Sequence, residues 1–378
     1  MKKIVFIAPF SWIGISNPLI NTAIYLADKG YQIDIYTVFN KTNTERGINN
    51  YDFNNEKINV FILRKNIFQR VKSKISNKKY SYFISAVNDE KYDLYIAFDL
   101  EGLRIAAQLS EKTGTKYIFF SLEIEEIDQV LTEDQYIAQS ALLTITQSEN
   151  RKKVLESVYK LAKNNIHILP NSCFGPIIDK NKQYFNELFE LNKNIRIVLC
   201  IGTLNMDTCV DTLIKSIEYF PTGYCLVVHG WFADEETKDI YKSYKKKYPN
   251  RVFYSNEIKS NKDLIYQSCD FGVVAYDPKN ENLKYALGAS GKMFEFLKYG
   301  VPLIVNDIPG AKNLIEDTGC GLVIENINMI PQLLSKINSN YDNYKKNCYK
   351  QFLLNQFDKQ LSLLIKNASF NNILDYNE

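Results

Sequence analysis

Residues 2–39 decide the fold: KKIVFIAPFSWIGISNPLINTAIYLADKGYQIDIYTVF. Residues 2–9 are an apolar run that ends in a proline, which is typical of a buried strand. Residues 17–30 carry apolar side chains at helical spacing and end in a glycine, and residues 31–39 form a second strand-like run. A strand, a helix and a strand joined by short loops indicate a parallel sheet of the α/β class.

The same alternation continues to the end of the chain. Further strand-like segments of the first half are INVFILR (58–64), YDLYIAFD (92–99), KYIFFSLE (116–123), LLTITQS (142–148) and NIHILPNS (165–172). A polar stretch follows near 173–193, and a second α/β half begins at IRIVLCIGTL, residues 195–204. In this half we predict helices over 209–220 and 234–248. We predict two doubly wound, Rossmann-like domains, 1–172 and 173–354, that face a central cleft, with a helix of about 355–378 packing back on the first.

Composition excludes several classes of protein. The chain has 378 residues, 46% of them hydrophobic and 24% charged, and a formal net charge of +3, so no overall nucleic-acid footprint is present. Its seven cysteines include no C-x-x-C pair, which argues against zinc and disulfides and favours a reducing cytoplasm. Pro9 interrupts the N-terminal apolar run, so we predict a strand there and not a signal peptide. We therefore expect a cytoplasmic protein whose membrane contact, if it has one, is peripheral.

The segment ALGASGKMFEFLKYGVP, residues 286–302, contains a Gly-Lys pair that suggests a phosphate loop. A Walker A loop requires glycine at position 286 and a hydroxyl side chain at 293, where this chain has Ala286 and Met293. The first strand is also not followed by G-x-G-x-x-G, which counts against a dinucleotide site. Residues 286–302 therefore need another explanation.

The second half resembles the GT-B glycosyltransferases, especially the retaining family 4 group that builds bacterial polysaccharides. The segments that carry the resemblance are ILPNS (168–172), IGTL (201–204), VDTLIKSI (210–217), LVVHGW (226–231), RVFYSNEI (251–258), LIYQSCDFGVVAY (264–276) and SGKMFEFLKYGVPLIVNDIPGAKNLIEDTGCGLVI (290–324). Residues 7–37 resemble the family's first half more loosely. The resemblance implies an acceptor-binding N-terminal domain and a C-terminal domain that binds a nucleotide-sugar.

The resemblance also assigns residues 290–295 to the donor. In the family a helix N-terminus faces the donor diphosphate, where unpaired N–H groups favour an anion. Lys292 would add a charge and Glu295 would bind the ribose hydroxyls. The implied donor-binding residues are Ser290 as N-cap, Gly291, Lys292, Met293, Phe294 and Glu295. The alternative for Glu295 is a solvated pair with Lys292 or Lys298, three residues away on the same helix.

Two departures from the family pattern bear on catalysis. The first glutamate of the E-x7-E motif falls on Leu287, so Asp277 or Glu281 would have to replace it. The diphosphate lysine of the K-G-V-D segment falls on Thr208. Lys292, which we count as a catalytic residue, would then take over its charge, and otherwise the chain would be weakly active or a non-catalytic partner.

Further donor-site candidates lie where strands of the second half end. These are His229 and Gly230, and Gly202 with Thr203, which we expect to open the loop after IRIVLCI. Gly14, after the first strand, either lets the backbone approach a ligand or is a plain turn glycine.

The two histidines do not indicate a metal site. His167 alternates with Ile166 and Ile168, so we predict a structural role for it. Neither histidine has a third ligand nearby in the sequence, and we expect no metal and no cofactor.

Glu123 is the candidate catalytic residue of the first half. It follows the strand KYIFF and corresponds to the glutamate of a D-x-H-E-like element of some family members, whose histidine position is Leu122 here. It would orient or deprotonate the acceptor hydroxyl. An acidic helix start explains the neighbouring Glu125 and Glu126 better than it explains Glu123.

A basic and aromatic segment runs from residue 57 to 88, with eight Lys or Arg and no acidic residue. It suits an anionic membrane or a lipid-diphosphate acceptor, and equally a solvated basic face; nucleic acid is a weaker alternative. The patch residues are Arg64, Lys65, Arg70, Lys72 and Lys74.

These observations predict a glycosyltransferase that moves a sugar from a nucleotide-sugar to a hydroxyl of a glycan or polyprenyl-linked acceptor, with retention implied by the resemblance. A nucleotide-sugar 2-epimerase and a non-catalytic partner subunit remain alternatives. A two-lobed solute-binding protein would need an export signal, which the sequence does not show.

Overall fold

A computed structural model describes residues 2–64, 80–88, 90–181, 183–256, 262–326 and 329–367. The chain divides into two compact units. The N-terminal unit comprises Met1–Pro170 and Phe357–Glu378, and the C-terminal unit comprises Asn171–Gln356. The chain therefore passes between the units twice.

The N-terminal unit is built on a sheet of parallel strands. They are β1 (Lys3–Ile7), β2 (Gln32–Val38), β3 (Ile58–Leu63), β4 (Leu94–Phe98), β5 (Tyr117–Phe120), β6 (Thr144–Thr146) and β7 (Ile166–Ile168). Their order in the sheet is β3-β2-β1-β4-β5-β6-β7. The chain leaves β1 toward β2 on one side and β4 toward β5 on the other, so the sheet reverses its winding between β1 and β4. In doubly wound sheets, ligands bind beyond the carboxyl ends of the strands at such a point.

Helices cover this sheet because its strands are apolar on both faces. They are α1 (Asn17–Asp28), α2 (Lys41–Glu45), α3 (Ser81–Asn88), α4 (Asp99–Thr113), α5 (Thr132–Gln139) and α6 (Glu149–Val158). Pro18 stands in the first turn of α1, where its missing N–H costs nothing, and α4 ends at Gly114 with a left-handed φ of 74°.

The C-terminal unit has a second parallel sheet. Its strands are β8 (Arg196–Leu204), β9 (Tyr224–Phe232), β10 (Val252–Ser255), β11 (Phe271–Val274), β12 (Leu303–Asn306) and β13 (Gly321–Ile324). They lie in the order β10-β9-β8-β11-β12-β13, which reverses between β8 and β11. The predicted pair of parallel α/β sheets is thus confirmed.

The helices of this unit differ from prediction mainly in length. They are α7 (Gln183–Leu188), α8 (Val210–Lys215), α9 (Glu235–Lys247), α10 (Asp263–Gln267), α11 (Glu281–Lys284), α12 (Gly291–Lys298), α13 (Ile330–Asn338) and α14 (Tyr341–Leu354). The helix predicted over 209–220 is shorter, because the chain tightens into a 3₁₀ turn at Ser216–Tyr219 after α8.

The last described helix, α15 (Phe357–Asn367), belongs to the N-terminal unit, where it packs against α1. Its apolar side chains Phe357, Leu361 and Ile365 are buried. No helix in the described part of the chain is long and apolar enough to span a bilayer.

Candidate functional site

The candidate donor site lies where the sheet of the C-terminal unit reverses its winding. The segments that follow β8 and β11 meet there, because the N–H of Asp277 donates to the carbonyl of Asp207 at 2.9 Å. Lys279 adds an ion pair with the Asp207 carboxylate. The two strand ends are thereby tied together at the point where doubly wound sheets bind ligands.

Helix α12 begins beside these segments, after a 3₁₀ turn at Leu287–Ala289. The side-chain amide of Asn171 donates to the carbonyl of Ala289 at 2.7 Å and holds this turn. Ser290 occupies the N-cap position, but its hydroxyl makes no bond to the helix amides and instead accepts from the Tyr276 hydroxyl at 2.9 Å. The capping bond expected for Ser290 is therefore absent, and the amides at Gly291 and beyond keep no side-chain cap.

Lys292 is a half-buried cation in the first turn of α12. Its ammonium nitrogen lies 4.8 Å from the centroid of the Tyr276 ring. Within the described ranges it forms no ion pair with a carboxylate. Burial, with the nearby Asp277 charge, raises the pKa of the Cys209 thiol to about 11, and the positive charge of Lys292 opposes this shift. Lys292 is thus close enough to act on the residue next to Thr208.

Glu295 lies in the core and not in solvent, with 2% of its surface exposed. One carboxylate oxygen pairs with Lys262, which is 51% exposed. The other, Oε2, is buried and accepts no hydrogen bond from the described residues. The alternative of a solvated pair with Lys292 or Lys298 is therefore wrong, because the carboxylate is covered and its partner comes from the segment before α10.

Leu287 stands at the position where the family's motif has its first glutamate. Its side chain is fully buried and belongs to the core cluster that also contains Met293 and Phe294. The buried side chains of Met293 and Phe294 leave only their backbone amides to meet a ligand. Of the two predicted replacements, Asp277 is exposed and Glu281 is paired with Lys284 at 2.9 Å.

Thr208 closes the turn after β8. Its hydroxyl donates to the carbonyl of Thr203 at 2.8 Å, and its N–H donates to the side chain of Asn205. Cys209 follows in a left-handed conformation, with φ 52°. The hydroxyl of Thr208 is therefore engaged in local structure and supplies no positive charge in place of the family's lysine.

Gly202 and Thr203 do not open a loop as predicted, and Gly230 does not lie at the end of its strand. All three residues lie inside strands. Gly202 pairs with Gly230, and Thr203 with Trp231, across β8 and β9. A Cβ on Gly230 would lie 1.9 Å from the Gly202 carbonyl oxygen, and both glycines have positive φ. The close approach of the two backbones explains Gly230, the positive φ explains Gly202, and the loop begins at Asn205.

His229 is also in the interior of β9. It is 7% exposed, and its ring lies 6.3 Å from that of Phe185 in the core. His167 lies in β7, where burial lowers its pKa. Among the described residues there is no group of three or more His, Cys, Asp and Glu side chains that could hold a metal ion.

Glu123, in the N-terminal unit, is exposed and stands after β5. The N–H groups of Glu123 and Leu122 donate to Oδ1 of Asp99 at 2.9 and 2.7 Å. Asp99 begins α4 directly after β4, with φ 57°. Burial and the charge of Glu123 raise the pKa of Asp99 to about 8, although the two N–H donors favour its ionised form.

Gly14 is explained by packing within the N-terminal unit. Its N–H donates to the carbonyl of Ile48 at 2.9 Å, and a Cβ would lie 2.3 Å from the carbonyl oxygen of Asn50. The turn of which it is part therefore presses against residues 48–50, which requires glycine without any ligand.

Arg64 is the one patch residue that the structure describes. Its guanidinium lies 4.0 Å from the centroid of the Phe39 ring and lines a pocket of about 220 Å³ with Asn49 and Asn50. Lys65, Arg70, Lys72 and Lys74 lie outside the described residues.

Comparison with known proteins identifies the fold class. A synthase of sucrose phosphate from Thermosynechococcus elongatus matches with a TM-score of 0.74 at 14% identity, covering 97% of this chain and 98% of that one. Anabaena HepE in complex with UDP-glucose matches with 0.70 at 13% identity (99% and 100% covered), and a glycosyltransferase from Rickettsia africae with 0.72 at 13% (100% and 99%). No curated protein sequence matches the chain.

The chain has the GT-B fold of these structures, built on two parallel sheets. More narrowly, residues 227–356 match the family model described as glucosyltransferase 3-like, C-terminal domain. The matched segment contains α12 and the strands on either side of it. The resemblance noted in the sequence is thus confirmed at the level of the fold.

Four residues that the sequence analysis did not single out belong to these sites: Tyr276, Lys262, Asn171 and Asp99. Each acts through a partner distant in the chain, so no local spacing could reveal it. The only sequence signal is that Asp99 directly follows β4 and Tyr276 stands two residues after β11, each beside the switch point of its own sheet, where functional side chains concentrate.

Proposed function

We propose that this protein transfers a sugar from a nucleotide-sugar, held by the C-terminal unit, to a hydroxyl of a glycan or lipid-linked glycan. The donor diphosphate binds at the start of α12 and the ribose binds at Glu295. The sugar keeps its anomeric configuration when it is transferred to the acceptor. The nucleotide-sugar is a substrate, and we propose that the reaction uses neither cofactor nor metal.

The observation that carries this proposal is the position of the Lys292 ammonium at the start of α12. A cation in the first turn of a helix opposes the helix dipole, and one that is half-buried without a carboxylate partner loses hydration as well. An anion bound at the helix start offsets both costs, since it meets the unpaired amides and the ammonium together. A diphosphate fits that requirement, and Lys292 then stabilises the charge that develops on the leaving nucleotide.

Glu295 supplies the second half of the donor site. Its Oε2 is buried without a hydrogen-bond donor, which costs free energy that a ribose hydroxyl would recover. Lys262 pairs with the other oxygen, which leaves Oε2 available to accept a hydrogen bond. The carboxylate lies one helical turn after Lys292, an arrangement that suits a nucleotide running from ribose to diphosphate.

The N-terminal unit is proposed to bind the acceptor. Its switch point carries Asp99, which fixes the backbone of Glu123, and Arg64 lines a pocket beside an aromatic ring. Glu123 would orient the acceptor hydroxyl, and Arg64 would pair with an anionic group such as a lipid diphosphate. We propose that the protein works in the cytoplasm, in peripheral contact with the inner face of the membrane.

A ligand panel tests the donor site directly. Thermal unfolding with UDP-, GDP-, ADP- and CMP-sugars should show a raised melting temperature for one nucleotide class, because a ligand of the folded state stabilises it. UDP-glucose is the first to try, since HepE was crystallised with it. Lys292→Ala should then weaken binding by about 10-fold or more, the loss of one charge-assisted contact, and Glu295→Gln should weaken it less.

The matched controls are Lys312→Ala and Glu325→Gln, which remove exposed charges elsewhere in the same unit. They should leave the dissociation constant unchanged. Unaltered nucleotide affinity in both Lys292→Ala and Glu295→Gln would overturn the site. Product release without an acceptor would indicate an epimerase or hydrolase, and the anomeric NMR signal of a transfer product decides retention.

A non-catalytic partner subunit is the second candidate, favoured by Thr208 and Leu287. The Thr208 hydroxyl is engaged in a turn and Leu287 is buried in the core. Neither residue can therefore replace the lysine or the glutamate that the family has at these positions. A flat thermal response to every nucleotide-sugar, with a folded protein, would favour this alternative.

A further inference from the structure

We propose that Tyr276 is a positioning residue for Lys292: its ring holds the ammonium in place to meet the diphosphate. This inference rests on the proposed function, because it concerns the same anion site. It assigns to the segment after β11 a role that no motif of the sequence indicates.

The side chain of Tyr276 contacts the start of α12 at two points. The face of its ring lies 4.8 Å from the Lys292 ammonium, within the range of a cation–π interaction. Its hydroxyl donates to the Ser290 hydroxyl at 2.9 Å, at the N-cap position of the helix. The ring is thereby fixed relative to the helix that carries Lys292.

The backbone of Tyr276 is fixed as well. The side-chain amide of Asn306, the last residue of β12, accepts from the N–H of Tyr276 at 3.0 Å and donates to its carbonyl at 2.7 Å. These two bonds hold both the N–H and the carbonyl of Tyr276 against the end of β12. The position of the aromatic ring is therefore set by the sheet and not by a free loop.

This arrangement matters because Lys292 makes no ion pair with any carboxylate in the described part of the chain. A lysine side chain has large rotamer entropy, and the positive end of the helix dipole would drive its ammonium away from the helix start. The negative face of the ring opposes that displacement. Unlike a carboxylate, the ring does not neutralise the charge of the ammonium. Lys292 is then already in place when the diphosphate arrives, which reduces the ordering cost of binding.

A double-mutant cycle tests the proposal with full-length protein. Calorimetry on the wild type first identifies which of UDP, GDP and ADP binds most tightly. The dissociation constant of that nucleotide is then measured for wild type, Tyr276→Leu, Lys292→Met and the double variant. Tyr276→Leu should weaken binding by about 5- to 10-fold in the wild-type background and by less than about 2-fold beside Lys292→Met. Tyr276→Phe, which keeps the ring and loses the bond to Ser290, should retain most of the affinity.

The matched control is Tyr244→Leu on α9. The ammonium of Lys247 lies 5.9 Å from the centroid of the Tyr244 ring, so this pair has a similar cation–π geometry away from the proposed site. It should leave nucleotide affinity unchanged, and thermal unfolding verifies that each variant is folded. An equal loss from Tyr276→Leu in both backgrounds would show a merely structural role and overturn the inference while leaving the donor site standing. Unchanged affinity in Lys292→Met would overturn the donor site and this inference together.

Discussion

Replacing Asp99 with asparagine should change how the stability of the protein depends on pH. Asp99 begins α4 with a left-handed backbone, and its Oδ1 accepts from the N–H groups of Leu122 and Glu123. Asparagine has a similar shape and keeps an oxygen for both donors, but it carries no titratable proton. Asp99→Asn therefore removes the charge and preserves the contacts.

The direction of the effect follows from the pKa of Asp99, which burial first and the Glu123 charge second raise from 3.8 to about 8 in the folded protein. Between these values the folded state binds a proton that the unfolded state has released. The free energy of unfolding then falls as pH rises, by up to 1.36 kcal/mol for each pH unit. From pH 5 to pH 8 the wild type should lose up to about 4 kcal/mol relative to Asp99→Asn.

Urea denaturation of both proteins at pH 5, 6, 7 and 8 measures this difference. The gap between the two unfolding free energies should change steadily with pH in favour of the variant. Carboxyl groups distant from Asp99 contribute equally to both proteins and cancel in this gap. Parallel curves, with a gap that varies by less than about 0.5 kcal/mol, would refute the raised pKa of Asp99.

Two further predictions concern the C-terminal unit. Gly230→Ala should destabilise the protein by more than about 3 kcal/mol in denaturant titrations, because the new Cβ meets the Gly202 carbonyl; Gly223→Ala, with φ 86° and open space around it, is the control and should cost about 1 kcal/mol. Similar losses in both would contradict the steric argument. Cys209 is the one cysteine that is not buried, so N-ethylmaleimide at about pH 9 should label it first, and a bound nucleoside diphosphate should slow the labelling because Lys292 acts on both. Labelling that a saturating nucleotide leaves unchanged, as judged by peptide mass spectrometry, would place the diphosphate elsewhere.

The parts of the fold that depend on local periodicity could be predicted from the sequence. The helix predicted over 234–248 is α9 at Glu235–Lys247, and the strand, helix and strand of residues 2–39 form as expected. Such segments carry their own pattern of apolar side chains, so their structure needs no knowledge of distant contacts.

Errors arose where a local signal competes with a distant partner. Gly202 and Thr203 resemble the start of a loop because glycine favours turns, yet β8 continues through them, since Gly202 lies against Gly230 of β9. Glu295 has two lysines at helical spacing, yet it pairs with Lys262, because its side chain points into the core and not along the helix surface. A partner distant in the chain decides both cases, and local spacing does not encode such a partner.

The placement of α15 has a consequence for synthesis on the ribosome. This helix completes the N-terminal unit by covering α1, yet it emerges only after the whole C-terminal unit. At roughly 5 to 20 residues per second, the N-terminal unit waits on the order of ten seconds or more with an apolar surface uncovered. The unit that is made first is therefore finished last, and during that interval it exposes the apolar surface that α15 later covers.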